Sequence, residues 1–265
     1  MDNIVVLTAL GVGSATVIGA ALGFVFKRMS HRFSDITLAF AAGIMLAAAV
    51  LGLIVPSVDY GIELIGDPDA LLTKSLAVVM TLAGIFAGAL CLNLLDRLVP
   101  HLHKLAGVEP ENHATGGQNA GKVLLFVMAI AIHNLPEGIA AGVGFGSGNN
   151  TEALLIAGGI ALQNIPEGMV IIAPMLLAGI KPGKTFLIAL CTGLVEVLGT
   201  FVGYFAVSIS AVVLPFALAF AGGTMLYIIS DEMIPETHAH GSERGATYAL
   251  LVGFCVMLVS SVLLG

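Results

Sequence analysis

Apolar residues fill eight stretches of this chain, each close to the ~20 residues that a helix needs to cross the hydrocarbon core of a bilayer. Short polar segments separate the stretches, and only the segment VSISAVVLP, between the sixth and the seventh, leaves almost no loop. The eight stretches lie near residues 4–26, 36–58, 75–99, 122–146, 152–178, 184–207, 209–232 and 246–264. The pattern predicts an all-α integral membrane protein, a single transmembrane domain over residues 1–265.

The composition agrees with burial in lipid. Apolar residues make up 58% of the chain and charged residues only 10%, which is too little charge to cover a soluble domain. The 33 glycines suit close contact between helices, because small residues let backbones approach where lipid gives no hydrophobic drive. We expect a multi-pass protein of the cell membrane (inner or plasma membrane), with the bilayer as its surroundings. No basic patch suggests nucleic acid.

Lysine and arginine predict the orientation. Nine of the ten basic residues lie in alternate connections, and only Lys74 lies in the other set. The nine are Lys27, Arg28, Arg32, Arg97, Lys104, Lys122, Lys181, Lys184 and Arg244. By the positive-inside rule their side is cytoplasmic, so the N- and C-termini lie outside. The segment of about 100–121, between spans 3 and 4, is then a cytoplasmic loop.

Two pairs of segments repeat within the chain. AFAAGIMLAA (39–48) resembles AFAGGTMLYI (219–228), and AIHNLPEGIAAG (131–142) resembles ALQNIPEGMVII (161–172). In the predicted orientation the members of each pair cross the membrane in opposite directions. Inverted repeats of this kind underlie many secondary transporters, and Pro/Gly-interrupted spans at matching positions indicate the substrate site.

Polar side chains lie near the middle of spans 4, 5 and 6. They are His133, Asn134, Glu137, Gln163, Asn164, Glu167 and Glu196. A carboxylate at that depth costs roughly 2.5–3.5 kcal/mol, and the spans offer no lysine or arginine there to neutralise it. The remaining ways to neutralise these carboxylates are protonation or a bound cation. Oxygen and imidazole donors suit zinc, iron or manganese better than copper(I). The alternative is a network of protonated acids that only joins the helices.

At HNLPEG, QNIPEG and Glu196 the chain resembles the ZIP (Zrt- and Irt-like protein) family of metal transporters. The resemblance implies uptake of divalent metal into the cytoplasm, a homodimer, and an elevator-like movement against a scaffold that includes spans 2 and 7. It implies one metal position at His133, Glu137, Gln163 and Glu167. It implies a second at Asn134, Asn164 and Glu196, with Glu137 and Glu167 bridging the two. Many relatives have histidine where this chain has Gln163.

Two further sets of residues are candidates around this path. Met45 and Asp59 resemble positions at the family's outer entrance, although Met45 also fits simple packing. Acids in the connection after span 2 are solvated loop residues or a funnel that attracts cations. They are Asp59, Glu63, Asp67 and Asp69.

Acids and imidazoles also gather on the predicted cytoplasmic side. They are either solvated loop residues or a second metal site that accepts the outgoing ion, since imidazole with carboxylate is a normal zinc set. The set comprises Asp96, Asp231, Glu232, His238 and His240.

The sequence therefore predicts a transporter whose substrate is Zn²⁺, with Cd²⁺, Fe²⁺ and Mn²⁺ as alternatives, and which needs no organic cofactor. One ion or two could occupy the site. The alternative from another class is a metal-dependent intramembrane hydrolase, in which a zinc-bound water near Glu196 attacks an amide. The absence of HExxH from the chain speaks against that reading. A metal sensor without flux is a third interpretation.

Overall fold

The structure, a computed structural model, describes residues 3–26, 30–105, 132–177 and 179–264. Regular secondary structure in these ranges is helical. The helices are α1 (Asn3–Val25), α2 (His31–Ala47), α3 (Val55–Ile65), α4 (Leu71–Leu105), α5 (132–143), α6 (Asn150–Leu177), α7 (Pro182–Ile209), α8 (Leu214–Ile228), α9 (Ile234–Thr237) and α10 (Glu243–Leu264).

Seven helical stretches among the described residues are long and apolar enough to cross a membrane. They confirm seven of the eight predicted spans, and the chain is an all-α membrane protein. The predicted fourth span, 122–146, is described only from residue 132 onward, as α5. The predicted cytoplasmic loop of about 100–121 lies mostly outside the described residues, and α4 continues to Leu105 within it.

Two predicted boundaries were wrong. The second span continues to Ile65, so Asp59 and Glu63 lie on α3 and only Asp67 and Asp69 lie in the connection. The seventh span begins at Leu214 instead of residue 209, because α7 continues to Ile209 and Ser210 is extended.

A π-helical segment interrupts each of two spans at matching positions. Ala48–Ile54 joins α2 to α3, and Ile229–Met233 joins α8 to α9. In both cases a proline then occupies the first turn of the following helix, and because the helix continues without a break, its missing N–H leaves one carbonyl of the preceding turn without a helical donor. The AFAxG repeat detected in the sequence is therefore a repeat of structure as well.

Glycine contacts tie α1, α5, α6 and α7 into one bundle. A Cβ on Gly19 of α1 would meet the carbonyl of Ile165 on α6, and Gly13 and Gly193 pack α1 against α7 in the same way. On α7, Gly203 lies against the backbone of Ile139 on α5. Such close backbone packing is how helices associate in lipid.

The other long helices pack into a second group. Gly43 of α2 lies against the backbone of Leu250 on α10, and Gly223 of α8 lies against Ile85 on α4. Between the two groups the glycines meet side chains instead. Gly52 faces the side chain of Ile156, and Gly159 faces that of Met257. The contact between the groups is thus softer than the contacts within them.

Contacts at the two ends agree with the predicted grouping of alternate connections on one side. At one end, His31 stacks on His240, which brings the start of α2 beside the connection before α10. At the other end, Tyr60 on α3 donates a hydrogen bond of 3.3 Å to Glu152 at the start of α6. Residues assigned to the cytoplasmic side meet each other, as do those assigned to the outer side.

Candidate metal-transport site

The seven predicted residues lie on three helices of the first bundle. α5 carries the HNLPEG motif, α6 the QNIPEG motif, and α7 Glu196. The glycine of each motif lets another helix approach. A Cβ on Gly138 would meet the backbone of Glu196, and a Cβ on Gly168 would meet the carbonyl of Thr16 on α1. These glycines bring the neighbouring glutamates close to the facing helices.

Glu196 lies at the centre of a buried hydrogen-bond network and has no exposed surface. Asn134 Nδ2 donates to its Oε1, and Asn164 Nδ2 donates to its Oε2 at 2.7 Å. Thr16 Oγ1, on α1, also donates to Oε1 at 2.6 Å. Side chains from α1, α5 and α6 therefore converge on this single carboxylate of α7.

Glu137 and Gln163 form a second contact between α5 and α6. Gln163 Nε2 donates to Glu137 Oε1 at 2.8 Å, and both side chains are fully buried. Glu137 also lies close enough to Glu167 and Glu196 to interact with both electrostatically. Three carboxylates thus share one region in the middle of the bundle.

His133 connects this region to α8 and its π-helical segment. Its Nε2 lies 2.7 Å from Glu232 Oε1, and Glu167 lies near enough to interact electrostatically with both groups. Together with the Glu137 and Glu196 networks, these contacts join all seven predicted residues into one continuous cluster.

A cavity of about 630 Å³ leads from the cluster to one end of the protein. His133, Asn134 and Glu167 line its inner part. Glu236 and Ala239, which are exposed, line it at the end that the predicted topology makes cytoplasmic. The cluster is therefore accessible from that side.

Three buried oxygens in the cluster have no hydrogen-bond partner. They are Glu137 Oε2, Gln163 Oε1 and Asn164 Oδ1. Buried polar atoms are normally paired, and an unpaired one costs roughly 1–3 kcal/mol. Three unpaired acceptors on two facing helices form an arrangement that a cation can satisfy.

No group of three or more His, Cys, Asp or Glu side chains within the described residues is placed to hold a metal ion. Three of the seven predicted ligands, however, are asparagine or glutamine. In the structure their nitrogens face the carboxylates, so the hydrogen bonds to Glu137 and Glu196 occupy oxygens that could otherwise ligate an ion.

The structure separates the members of the predicted cytoplasmic set. Asp231 and Glu232 line the cavity. His238 bonds instead to the carbonyl of Ile234 and lies 3.3 Å from Thr247 Oγ1. His240 Nδ1 lies 3.0 Å from Asp35 Oδ1. The side chain of Asp96 lies outside the described residues, so the complete set stays a prediction.

The two predicted entrance residues differ in their exposure. Met45 is fully buried in the main apolar core, as the packing interpretation requires. Asp59 is exposed on α3. Their part in an outer entrance remains a prediction.

Two buried contacts of the predicted site residues had not been expected from the sequence. Thr16 is one of three hydroxyl side chains in the first apolar span, with Thr8 and Ser14, and nothing in the pattern distinguishes it from a helix-packing threonine. Asp35 is only 3% exposed and pairs with His240. Its position just before the predicted second span was the one signal available.

Comparison with known proteins agrees with the geometry. The family described as "ZIP Zinc transporter" matches residues 97–261. The chain is 37% identical over 259 residues to zinc transporter GufA of Myxococcus xanthus, covering 98% of each chain. It is 36% identical over 252 residues to zinc transporter ZIPB of Bordetella bronchiseptica, covering 95% of this chain and 78% of that one.

A vertebrate relative is similar over the same extent. Zinc transporter ZIP11 of Homo sapiens is 32% identical over 327 aligned positions, covering 94% of each chain. These relatives are transporters, and none supports the hydrolase alternative. The chain belongs to the ZIP family, and it is a multi-pass membrane protein that transports divalent metal.

Proposed function

We propose that this chain carries zinc into the cytoplasm through the buried cluster on α5, α6 and α7. The ion is the transported substrate, held first by His133, Glu137, Gln163 and Glu167. Asn134, Asn164 and Glu196 offer a neighbouring position, which Glu137 and Glu167 bridge. Cd²⁺, Fe²⁺ and Mn²⁺ are the alternative substrates.

The observation that carries this proposal is the group of three unpaired oxygens on Glu137, Gln163 and Asn164. They adjoin three carboxylates at mid-membrane depth, each costing roughly 2.5–3.5 kcal/mol there if ionised. The spans hold no lysine or arginine at that depth. A divalent cation would supply both the missing charge and the missing partners.

The donor set favours zinc with reversible binding. Carboxylate and amide oxygens with one imidazole form a mixed set, and a transported ion must be held weakly enough to leave. A closed thiolate site would retain zinc. The curated relatives named above are all called zinc transporters, which supports zinc as the main substrate.

The cavity supports a route of release on the cytoplasmic side. An ion leaving His133 would meet Glu232, whose carboxylate is already 2.7 Å from the imidazole, and then Asp231 along the same cavity. We propose these two acids as the core of the exit. His238, His240 and Asp96 would join only through a rearrangement of the connection before α10.

The two helix groups support an elevator-like movement. Backbone contacts at glycine hold α1, α5, α6 and α7 together as one unit, whereas side chains such as those of Ile156 and Met257 separate the groups. Shear movements slide packed helices past one another at such side-chain contacts. The bundle with the site would move against α2, α3, α4, α8 and α10.

Neutralising the site glutamates tests the function. Glu137→Gln and Glu167→Gln keep the shape of each side chain and remove its charge, so we expect loss of ⁶⁵Zn uptake into proteoliposomes. Glu243→Gln, at the exposed start of α10, is the matched control and should transport as the unchanged protein does. Normal uptake by either site variant at equal protein content would refute the assignment.

We further propose one transmembrane domain over residues 1–265 that works as a homodimer. α10 turns most of its apolar side chains outward, including Leu251, Val259 and Val262. Lipid or a second copy would cover them. Light scattering of the purified protein in nanodiscs measures the copy number, and one chain per particle would exclude the dimer.

A further inference from the structure

Thr16 contributes the only contact that α1 makes to the cluster among the hydrogen bonds of the described residues. Its side chain is 2% exposed, and its Oγ1 donates to Glu196 Oε1 at 2.6 Å. The position of Thr16 is fixed by packing, because its carbonyl lies against Gly168, the residue after Glu167. The hydroxyl is therefore held against the carboxylate by the same contact that joins α1 to α6.

Three donors converge on Glu196, and each competes with an ion. Asn134 and Thr16 donate to Oε1 and Asn164 to Oε2, so both oxygens are engaged. An ionised carboxylate accepts but does not donate, and three donors stabilise its charge without a metal. For Glu196 to ligate an ion fully, it must give up at least part of this network.

We propose that Thr16 is a positioning residue that weakens metal binding at Glu196 and so makes release possible. The inference rests on the proposed function. The Thr16 hydroxyl holds Glu196 Oε1 toward α1 while no ion is bound, and it bonds to Oε1 again as the ion leaves. Without the hydroxyl, fewer hydrogen bonds stabilise the negative charge of Glu196. A cation at Glu196 is then bound more tightly.

If Thr16 has this role, removing its hydroxyl strengthens zinc binding, whereas removing a merely structural contact leaves zinc binding unchanged or weakens it. A hydrogen bond to a charged group, at the low end of its usual range, corresponds to about a tenfold change in an equilibrium constant. Thr16→Val removes the hydroxyl at nearly constant shape. We expect its Kd and KM for zinc to fall by up to about tenfold, with a lower maximal rate because release is slower.

The experiment compares variants of the full-length protein in proteoliposomes and by equilibrium zinc binding. Thr16→Ser restores a donor and should behave as the unchanged protein. Thr192→Val is the matched control, because Thr192 is also 2% exposed but bonds only to the carbonyl of Ala189 within α7. If Thr16→Val does not reach the membrane, Thr16→Ala removes the same hydroxyl without adding a methyl group near the carboxylate.

The outcomes separate this inference from the function on which it rests. Tighter binding with slower turnover in Thr16→Val or Thr16→Ala, together with rescue in Thr16→Ser, supports the positioning role. An unchanged or raised KM with a lower rate indicates packing alone and overturns it. If the unchanged protein neither binds nor moves zinc, the proposed function fails instead.

Discussion

Gly138 offers a direct test of whether the spacing of α5 and α7 sets the transport site. It follows Glu137 on α5 and lies against the backbone of Glu196 on α7, so the two residues that flank this contact are both proposed ligands. In Gly138→Ala a single methyl group enters this contact. The change leaves every proposed ligand in place and alters only the distance between two helices.

The size of the effect follows from the packing. The added Cβ would lie 2.9 Å from both the Cα and the carbonyl carbon of Glu196. Ordinary carbon contacts are about 3.5–4.0 Å, so the helices must separate by roughly 1 Å. Zinc–oxygen bonds are about 2.0–2.2 Å and tolerate deviations of only about 0.2 Å. Glu137 and Glu196 could no longer serve the same ion.

Stability should change much less than transport. Overpacking costs about 1–3 kcal/mol, and the better helix propensity of alanine returns up to about 1 kcal/mol. We therefore expect folded Gly138→Ala with a loss of ⁶⁵Zn uptake of at least about tenfold.

The assay is uptake into proteoliposomes, with the thermal unfolding midpoint measured on the same preparation. Gly158→Ala on α6 is the control, because a Cβ there meets no atom within 4 Å. It should keep full uptake and the same or a higher midpoint. Uptake by Gly138→Ala within twofold of the unchanged protein would show that helix spacing does not control the site.

Two further substitutions test the scaffold and the donor set. Ser57→Ala removes the buried hydroxyl that donates to the Pro215 carbonyl at 2.7 Å and lies 2.9 Å from Thr81 Oγ1. It should lower the free energy of unfolding by roughly 1–3 kcal/mol, seen as a lower melting midpoint at unchanged zinc KM; a shifted KM would contradict it. Gln163→His adds a nitrogen donor beside Glu137, and competition uptake should show higher preference for zinc over Mn²⁺, whereas an unchanged ratio would exclude Gln163 from the ligands.

Depth and spacing were enough to predict which polar side chains share a helix face and lie near the middle of the membrane. His133 and Glu137 lie four residues apart on one helix, and their spacing repeats in Gln163 and Glu167, so each pair had to share a helix face. Glu196 lay alone in the middle of an apolar span, where an unpaired acid is costly. These constraints are local, and a single sequence contains them in full.

The boundaries of spans 2 and 7 depended on features that a hydropathy pattern does not contain. The apolar run predicted an end to the second span near residue 58, but the π-helical segment before Pro56 lets the helix continue to Ile65. At the seventh span, the apolar residues 211–213 form a separate turn before Pro215 enters the first turn of α8. Apolar runs report what lipid tolerates, whereas backbone hydrogen bonding decides where each helix ends.

Contacts between distant helices were also beyond the sequence. Thr16 and Glu196 are separated by 180 positions, and His240 and Asp35 by 205. Both contacts depend on how the helices pack, and one sequence taken alone carries no signal for such pairs. The predicted cytoplasmic set did not include Asp35, the buried carboxylate on α2 that lies 3.0 Å from His240.

The inverted repeats reproduce the backbone but not its chemistry, and this difference bears on direction. Both π-helical segments follow a helix that carries the AFAxG repeat and precede a helix with proline in its first turn. The outer one, Ala48–Ile54, is wholly apolar, whereas the inner one, Ile229–Met233, carries Asp231 and Glu232. Of these two segments, only the inner one has acids that would stabilise a cation leaving the cluster. The cavity already reaches the protein surface on that side. The symmetry of the backbone does not extend to the charges, and in the predicted orientation the acidic segment faces the cytoplasmic side, as the proposed route of release requires.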